Sequence, residues 1–352
     1  MKAAVWYKPR DMRVVERPVD EVVPGSMLLE VKVCAICGSD LRIFNEGNPR
    51  IIEPRIIGHE VSGQVVEVGK GVTRFKQGDR ISIGADVPCG KCVHCLNDRP
   101  NCCDTNLAIG YQFEGGNANF MRLDPLVVEL GPVQSFSEGL SYHAAALAEP
   151  LACCINGYER ALFQAGGSVV VIGGGPIGQM LAQLGARYYN AARVIVIEPE
   201  ESRRIKAIES GATDVIDPAK SDPVEEVLHL TQGQGAQSIF TANGVAKTHE
   251  QAIKMVAKRG VVNLFGGLPK SSEPIQLESK HIHYREAYIT GSHGSTPRQH
   301  RKALELMEEG KLDVENLITH KYSLDNIEEA FQMARSGKGI KVVINPNGKF
   351  KE

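Results

Sequence analysis

No stretch constrains this chain more than Gly173-Gly174-Gly175-Pro176-Ile177-Gly178. An apolar run, Val169-Val170-Val171-Ile172, precedes it, and a helical pattern from Gln179 to Tyr188 follows. A second apolar run, Val194-Ile195-Val196-Ile197, ends in the acid Glu198. Glycines alone only punctuate turns. Set between a strand and a helix, with a carboxylate about 20 residues on, GxGxxG reads as a dinucleotide fingerprint. Gly173 permits the tight turn, Gly175 lets the backbone approach a pyrophosphate, and Gly178 lets helix and strand pack closely. The helix that opens with Pro176 then offers its free N–H groups, from Ile177 on, to the anion. Glu198 accepts hydrogen bonds from ribose hydroxyls and repels a 2′-phosphate, so NAD is favoured over NADP. Arg203 and Arg204 would bind such a phosphate only if Glu198 turned away.

A chain of 352 residues carries a prior of about two domains. Its 42% apolar and 23% charged content are those of a globular protein. The net charge of −2 gives no electrostatic ground for a nucleic-acid or anionic-membrane partner. No apolar stretch approaches the roughly 20 residues of a membrane span. The opening Met1-Lys2-Ala3-Ala4-Val5-Trp6 has no signal-peptide h-region, so a cytoplasmic protein is expected. Nine cysteines, four of them crowded into one window, favour metal over disulfides in such a setting.

Two cysteine-bearing regions carry the metal reading. Cys34-Ala35-Ile36-Cys37-Gly38-Ser39-Asp40 follows the strand pattern of Leu28 to Val33, and Gly58-His59-Glu60 stands about twenty residues later. Cys37, His59 and a nearby carboxylate make a mixed S/N/O set, which suits a catalytic zinc with an open position. Cys34 reads as a small buried residue of the strand. Cys89, Cys92 and Cys95 are each separated by two residues, and Cys103 follows. Four thiolates at that spacing make a closed tetrahedral zinc site, favoured over an iron–sulfur cluster, with Cys102 as the spare. Glu149 is a lone acid in an apolar, Ala-rich helical stretch, where a metal would supply its pairing.

From Ser168 onward strands and helices alternate, which predicts a doubly wound parallel sheet. Residues 61 to 87 read as all-β, and the pattern breaks near Gly291-Ser292-His293-Gly294-Ser295. The expected fold class is therefore α/β, with domains at 1–152 (including a zinc lobe at 86–106) and 153–289. A segment, 290–352, returns to the first domain.

With these motifs in order, the chain resembles the zinc-dependent medium-chain alcohol dehydrogenases along nearly its full length. It looks closest to their polyol (sorbitol-like) and threonine dehydrogenase branch. The resemblance implies a GroES-like, mostly-β catalytic domain interrupted by a Rossmann NAD-binding domain, with the active site in the cleft between them. It implies two zinc ions per chain and a homo-oligomer, dimer or tetramer. Cys37 and His59 match the catalytic zinc ligands, and Glu60 and Glu149 the two acids that complete the sphere with water. Asp40 matches the acid that orients a ligand, and Ser39 the hydroxyl that bonds the substrate alcohol and begins proton release. Lys341 matches a basic residue near the cofactor pyrophosphate, the alternative being an exposed lysine on a last strand. The implied reaction moves a hydride from a secondary alcohol of a polyol or sugar derivative to NAD. The alternative is an L-threonine 3-dehydrogenase-like or other amino-alcohol or diol substrate. Two positions depart from the family. Arg42 replaces the usual relay histidine, and Ser295 and Thr296 lie where mammalian-type sorbitol dehydrogenases carry Arg and Tyr.

Overall fold

The computed structural model describes residues 1–269 and 271–348. They form two compact units: Met1–Ala152 together with the chain from Gly294 onward, and Cys153–His293. The first unit is mostly antiparallel β and the second an α/β parallel sheet.

In the first unit the strand Met27–Ala35 is central. Its apolar residues are buried, while Glu30 and Lys32, two apart and so on one face, pair with each other at 2.6 Å. It lies antiparallel to Glu60–Val68 on one side and to Lys341–Asn345 on the other. The register sets Ala35 opposite both Glu60 and Val343, so residues from both ends of the chain converge at the end of this strand. One core packs Leu29, Val31, Val61, Val65, Ile81 and Val133; a second gathers Trp6, Ile36, Ile43, Ile57, Phe331 and Ile344. Beyond Ala35 the chain turns at Cys37, the N-cap of the helix Gly38–Glu46.

The second unit has six parallel strands in the order Asp214–Ile216, Arg193–Ile197, Ser168–Ile172, Ala236–Thr241, Val256–Leu264, Tyr288–Gly291. Its central strands read as unbroken apolar runs because helices cover both faces. Val169 to Val171 and Val194 to Val196 are fully buried. One feature differs from the sequence reading: the edge strand Tyr288–Gly291 runs past residue 289, where the second domain was expected to end. That edge strand is short and half-exposed, so it carries no apolar run to betray it.

Among the described residues no helix is long and apolar enough to cross a membrane.

Candidate active site and metal centres

Asp40 organises the first cluster. At the third position of its helix it accepts the Cys37 backbone N–H through Oδ2 at 2.9 Å, closing half of a capping box. Its Oδ1 lies 3.1 Å from His59 Nδ1. One buried carboxylate thus fixes the turn that carries Cys37 and the ring of His59, leaving Nε2 to face the cluster. Gly58 lets His59 enter, with φ +103 and so close a fit that a Cβ would lie 2.6 Å from Cys34 Sγ. Ligand atoms of Cys37, His59 and Glu60 all lie within 4.8 Å of one another. Burial pushes the His59 imidazole down, but the Asp40 carboxylate more than offsets it, and the group sits well above the usual histidine range.

Glu60 is fully buried and faces Lys341. The Lys341 ammonium donates to Glu60 Oε1 at 2.7 Å and to the Ile36 carbonyl at 3.1 Å. Glu60 Oε2 lies 2.6 Å from the same nitrogen but outside hydrogen-bond geometry, and it is left without a hydrogen-bond partner. Lys341 is 3% exposed, which corrects the reading of an exposed lysine; its ammonium serves Glu60, and the pyrophosphate role has no support in these contacts. Burial lowers the Lys341 pKa, yet Glu60, Cys37 and Glu149 together hold it above the ordinary lysine value. Glu149, 6% exposed, is thus within electrostatic reach although it stands outside the three-residue cluster.

Ser39 Oγ lies 3.4 Å from His59 Nε2. Tyr111, which no motif announces, packs half-buried against the core that includes Ile36, Ile43 and Ile57. Burial pushes the phenol up, and it stays protonated at neutral pH. Arg50 lies over the Tyr111 ring at 5.0 Å and donates to the Asn106 carbonyl. Arg42 is exposed one helical turn from Ser39. Ser295 and Thr296 are buried and busy: Asp86 accepts the Ser295 N–H at 3.1 Å, and Thr296 caps the helix Pro297–Glu308 through Gln299.

Cys89, Cys92, Cys95 and Cys103 form the second cluster, again within 4.8 Å. The Cys92–Cys95 and Cys89–Cys95 sulfurs are 3.5 and 4.0 Å apart. A tetrahedral ion with Zn–S near 2.3 Å demands S···S separations of about 3.8 Å. A disulfide would need about 2 Å. The N–H groups of Lys91 and Cys92 draw the Cys89 thiol down to about 6, as suits a thiolate ligand. Cys102 is exposed and outside the set. Both donor sets fit zinc: four thiols in one, and thiol, imidazole and a carboxylate oxygen without a hydrogen-bond partner in the other.

In the second unit Gly173 has φ +112, and a Cβ on Gly178 would lie 1.8 Å from the Gly173 carbonyl oxygen. A Cβ on Gly175 would meet nothing within 4 Å. Gly175 is the N-cap of the helix Pro176–Arg187 and supplies no side-chain cap, so the first-turn N–H groups, at Ile177 and Gly178, have no intrahelical partner. That open cradle fits a phosphate. Because Ile172 pairs with Ile197, Glu198 emerges beside the turn, where Oε2 accepts the Gly174 N–H at 2.6 Å. Oε1 accepts the Glu200 N–H at 3.0 Å. Arg204 is tied to Asp217 at 3.1 Å and to the Glu198 carbonyl, while Arg203 lies half-buried on the first turn of the next helix. A cavity of 520 Å³ lined by Asp222, Lys247 and Thr248 opens beyond the C-terminal strand ends, where open α/β sheets bind ligands; the larger one, 740 Å³, lies at the opposite ends.

The chain is similar to known proteins along nearly its full length. Residues 23–132 match the alcohol dehydrogenase GroES-like domain and residues 176–309 the zinc-binding dehydrogenase domain. The chain is 35% identical to an L-threonine 3-dehydrogenase of Thermococcus kodakarensis over 99% of its length and 98% of the relative's. It is 31% identical to a sorbitol dehydrogenase of Bacillus subtilis, covering 99% and 98%. With a D-arabitol-phosphate dehydrogenase of Enterococcus avium it shares 30% identity, covering 96% and 94%. A zinc-binding dehydrogenase from Sinorhizobium meliloti bound to NADP superposes with a TM-score of 0.91 at 30% identity, covering 98% of this chain and 99% of that one. An alcohol dehydrogenase from Escherichia coli complexed with NADH gives 0.89 at 27% identity over the same shares. An Asp-held cysteine–histidine pair, a tetrathiolate loop and a glycine turn with its acid, joined to these likenesses, have one reading: the chain belongs to the zinc-dependent medium-chain alcohol dehydrogenases, oxidoreductases of small molecules that use zinc and a nicotinamide cofactor, in the branch that holds the polyol and threonine enzymes.

Proposed function

We propose that this enzyme oxidises a secondary alcohol of a polyol or sugar derivative with NAD. The observation that carries the proposal is the Cys37–His59–Glu60 cluster, with His59 and Glu60 buried and Cys37 half-buried, and with the Ser39 hydroxyl 3.4 Å from His59 Nε2. Cys37, His59 and Glu60 would hold the catalytic zinc, with Glu149 as the further acid of the sphere; Cys89, Cys92, Cys95 and Cys103 would hold a structural one. Zinc, when bound, supplies a Lewis acid that makes an alcohol more acidic. Ser39 accepts the alcohol proton, Asp40 holds the His59 ring, and Lys341 balances the charge of Glu60. The first unit is thus the catalytic domain. Nicotinamide, when bound, takes the hydride. In the second unit Gly173, Gly175 and Gly178 admit the pyrophosphate to the helix start at Pro176 and Ile177. Glu198 disfavours a 2′-phosphate, and the engagement of Arg204 by Asp217 supports NAD over NADP.

The 35% identity to a threonine dehydrogenase supports a second reading, an amino-alcohol substrate. Reduction of NAD and NADP across polyols, their phosphates, cyclitols and L-threonine separates the two. The polyol proposal expects the highest kcat/KM on a polyol or polyol phosphate, with NAD at least tenfold better than NADP. Metal analysis should find about two zinc ions per chain. Turnover of L-threonine alone overturns the polyol reading, and NADP preference overturns the role of Glu198. By family likeness the enzyme is a cytoplasmic homo-oligomer, a proposal that sedimentation tests for its oligomeric part.

A further inference from the structure

We infer that Glu114 is a positioning residue for His59: it anchors a clamp, residues 114–117, that sets where the backbone delivers the imidazole. The inference rests on the reading of the Cys37–His59–Glu60 cluster as a metal centre.

The three residues before His59 are held by four consecutive residues of another loop. The Ile56 N–H donates to Glu114 Oε2 at 2.8 Å. The Gly115 N–H donates to the Ile56 carbonyl at 2.8 Å, the Asn117 N–H to the Ile57 carbonyl at 3.3 Å and the Gly116 N–H to the Gly58 carbonyl at 3.0 Å. The approach leaves no room for a side chain between them. A Cβ on Gly115 would lie 2.5 Å from the Gly58 carbonyl oxygen, and one on Gly58 would lie 2.9 Å from the Asn117 amide nitrogen. Asn117, 1% exposed, is tied in turn to the strand Lys2–Lys8, its carbonyl accepting the Ala4 N–H at 2.8 Å.

The clamp does what Asp40 does not. Asp40 bonds His59 Nδ1 and so directs the ring, but the place of the ring follows from the backbone that carries it. Glu60 is the next residue, so one anchored segment delivers two members of the cluster. Three of the four bonds run from backbone to backbone and survive a change of side chain. The fourth depends on the Glu114 carboxylate alone. Glu114 Oε1 faces Arg17 at 3.5 Å and Arg55 at 3.6 Å. Those pairs are long and partly exposed, so they contribute little beside a charge-assisted bond to a backbone N–H.

Three variants of the full chain test this. Glu114→Ala removes the acceptor of the Ile56 N–H, and Glu114→Gln returns an oxygen to it. Ser26→Ala is the control for stability alone: it deletes a buried hydroxyl bonded to Val23 at the far end of the strand Met27–Ala35. Cobalt(II) titrated into the metal-free protein reads each cluster by its own visible bands, because four thiolates and a mixed donor set split the cobalt levels differently. In Glu114→Ala the mixed cluster should bind cobalt about 10- to 100-fold more weakly, with shifted bands, while the tetrathiolate keeps wild-type affinity. On the alcohol that the wild type turns over fastest, the zinc-loaded variant should show kcat lower by about tenfold or more and KM within about threefold. Glu114→Gln should recover cobalt affinity and kcat to within about threefold of wild type, since its amide oxygen also accepts. Ser26→Ala should melt lower yet keep both. Wild-type cobalt affinity and bands in Glu114→Ala overturn the inference, as does a Gln variant as impaired as the Ala one or an equal loss of affinity in Ser26→Ala. Hydrogen exchange in the wild type tests it without any variant: the Ile56, Gly115 and Gly116 amides should be as protected in the metal-free chain as in the zinc-loaded one. Protection that arises only with zinc would overturn the inference, because the metal and not the clamp would then place His59. A wild type whose Cys37–His59–Glu60 cluster takes no cobalt would overturn the proposed zinc site itself, and this inference with it.

Discussion

Lys341 shows how a single buried charge is made tolerable. An isolated ammonium or carboxylate in a protein interior costs several kcal/mol, and a pair survives only with good geometry and further hydrogen bonds. Lys341 has both: the Glu60 carboxylate and the Ile36 carbonyl. Glu60 Oε2 lies 2.6 Å from the same ammonium but outside hydrogen-bond geometry, and it is the oxygen that the proposed zinc would engage. Lys341→Met removes the cation and leaves Glu60 buried and uncompensated. The zinc-free variant should lose about 3–5 kcal/mol against zinc-free wild type in urea unfolding. Zinc then supplies the missing positive charge, so added zinc should raise the melting temperature of the variant by more than that of the wild type. Equal zinc-induced shifts in both proteins would show that Glu60 does not engage the metal. The pairing spans 281 residues and was invisible in the sequence, where Lys341 read as a basic residue near the pyrophosphate or an exposed lysine on a last strand. The register that sets Ala35 opposite both Glu60 and Val343 creates it. Asp40 entered the sequence reading through the family resemblance, and its bond to Cys37, three residues away, is by contrast local.

At the scale of the element, the glycine turn separates two demands that one motif serves. Gly178 is a packing glycine, since a Cβ would lie 1.8 Å from the Gly173 carbonyl oxygen, a backbone atom that has no room to move. Gly175, with φ −69 and open space around the missing Cβ, is the one proposed to face the pyrophosphate. Gly175→Ala should therefore leave the melting temperature within about 2 °C of wild type while weakening NAD binding tenfold or more, because the methyl occupies the phosphate cradle. Gly178→Ala should lower both stability and affinity. Calorimetric titration with NAD, paired with thermal unfolding of each variant, reads the difference; a Gly175→Ala variant with wild-type affinity would remove the pyrophosphate from this turn. The turn and its acid were readable because all of it lies within one strand–helix–strand unit, where Glu198 follows Gly174 by 24 residues. The edge strand Tyr288–Gly291 was not readable, because a short strand exposed on one side needs no apolar run. Nor was the place of Tyr111: its loop is held against Ile56 and Gly58 through backbone bonds, and backbone bonds leave no residue-type signature.

The whole molecule is held by two different kinds of force. The second unit is stabilised by a core of its own, built from Val170, Ile195, Ile239 and Val262 among others. The loop between Cys89 and Cys103 has no comparable core: Val93 and Leu96 are 59% and 71% exposed, and only short 3₁₀ turns, Cys95–Asn97 and Pro100–Cys102, order its backbone. With the zinc proposed for the four thiols, metal bonds would supply what apolar burial does not. Stripping the metal should accordingly produce local unfolding, not a global one. Cys103→Ser removes the most buried of the four thiols, and hydrogen exchange in this variant should accelerate across residues 86–106. Amides of the strands Ser168–Ile172 and Arg193–Ile197 should keep wild-type protection, because the core beneath them is separate. Zinc content should fall by about one ion per chain, from the tetrathiolate alone. Cys102→Ser, one residue away but exposed and outside the cluster, is the control and should change neither quantity. Were Cys102→Ser to lose zinc and Cys103→Ser to keep it, the fourth ligand would be the neighbouring thiol. Were exchange to accelerate equally in both units, the lobe would be part of the global folding unit and not a metal-clamped appendage to the first one.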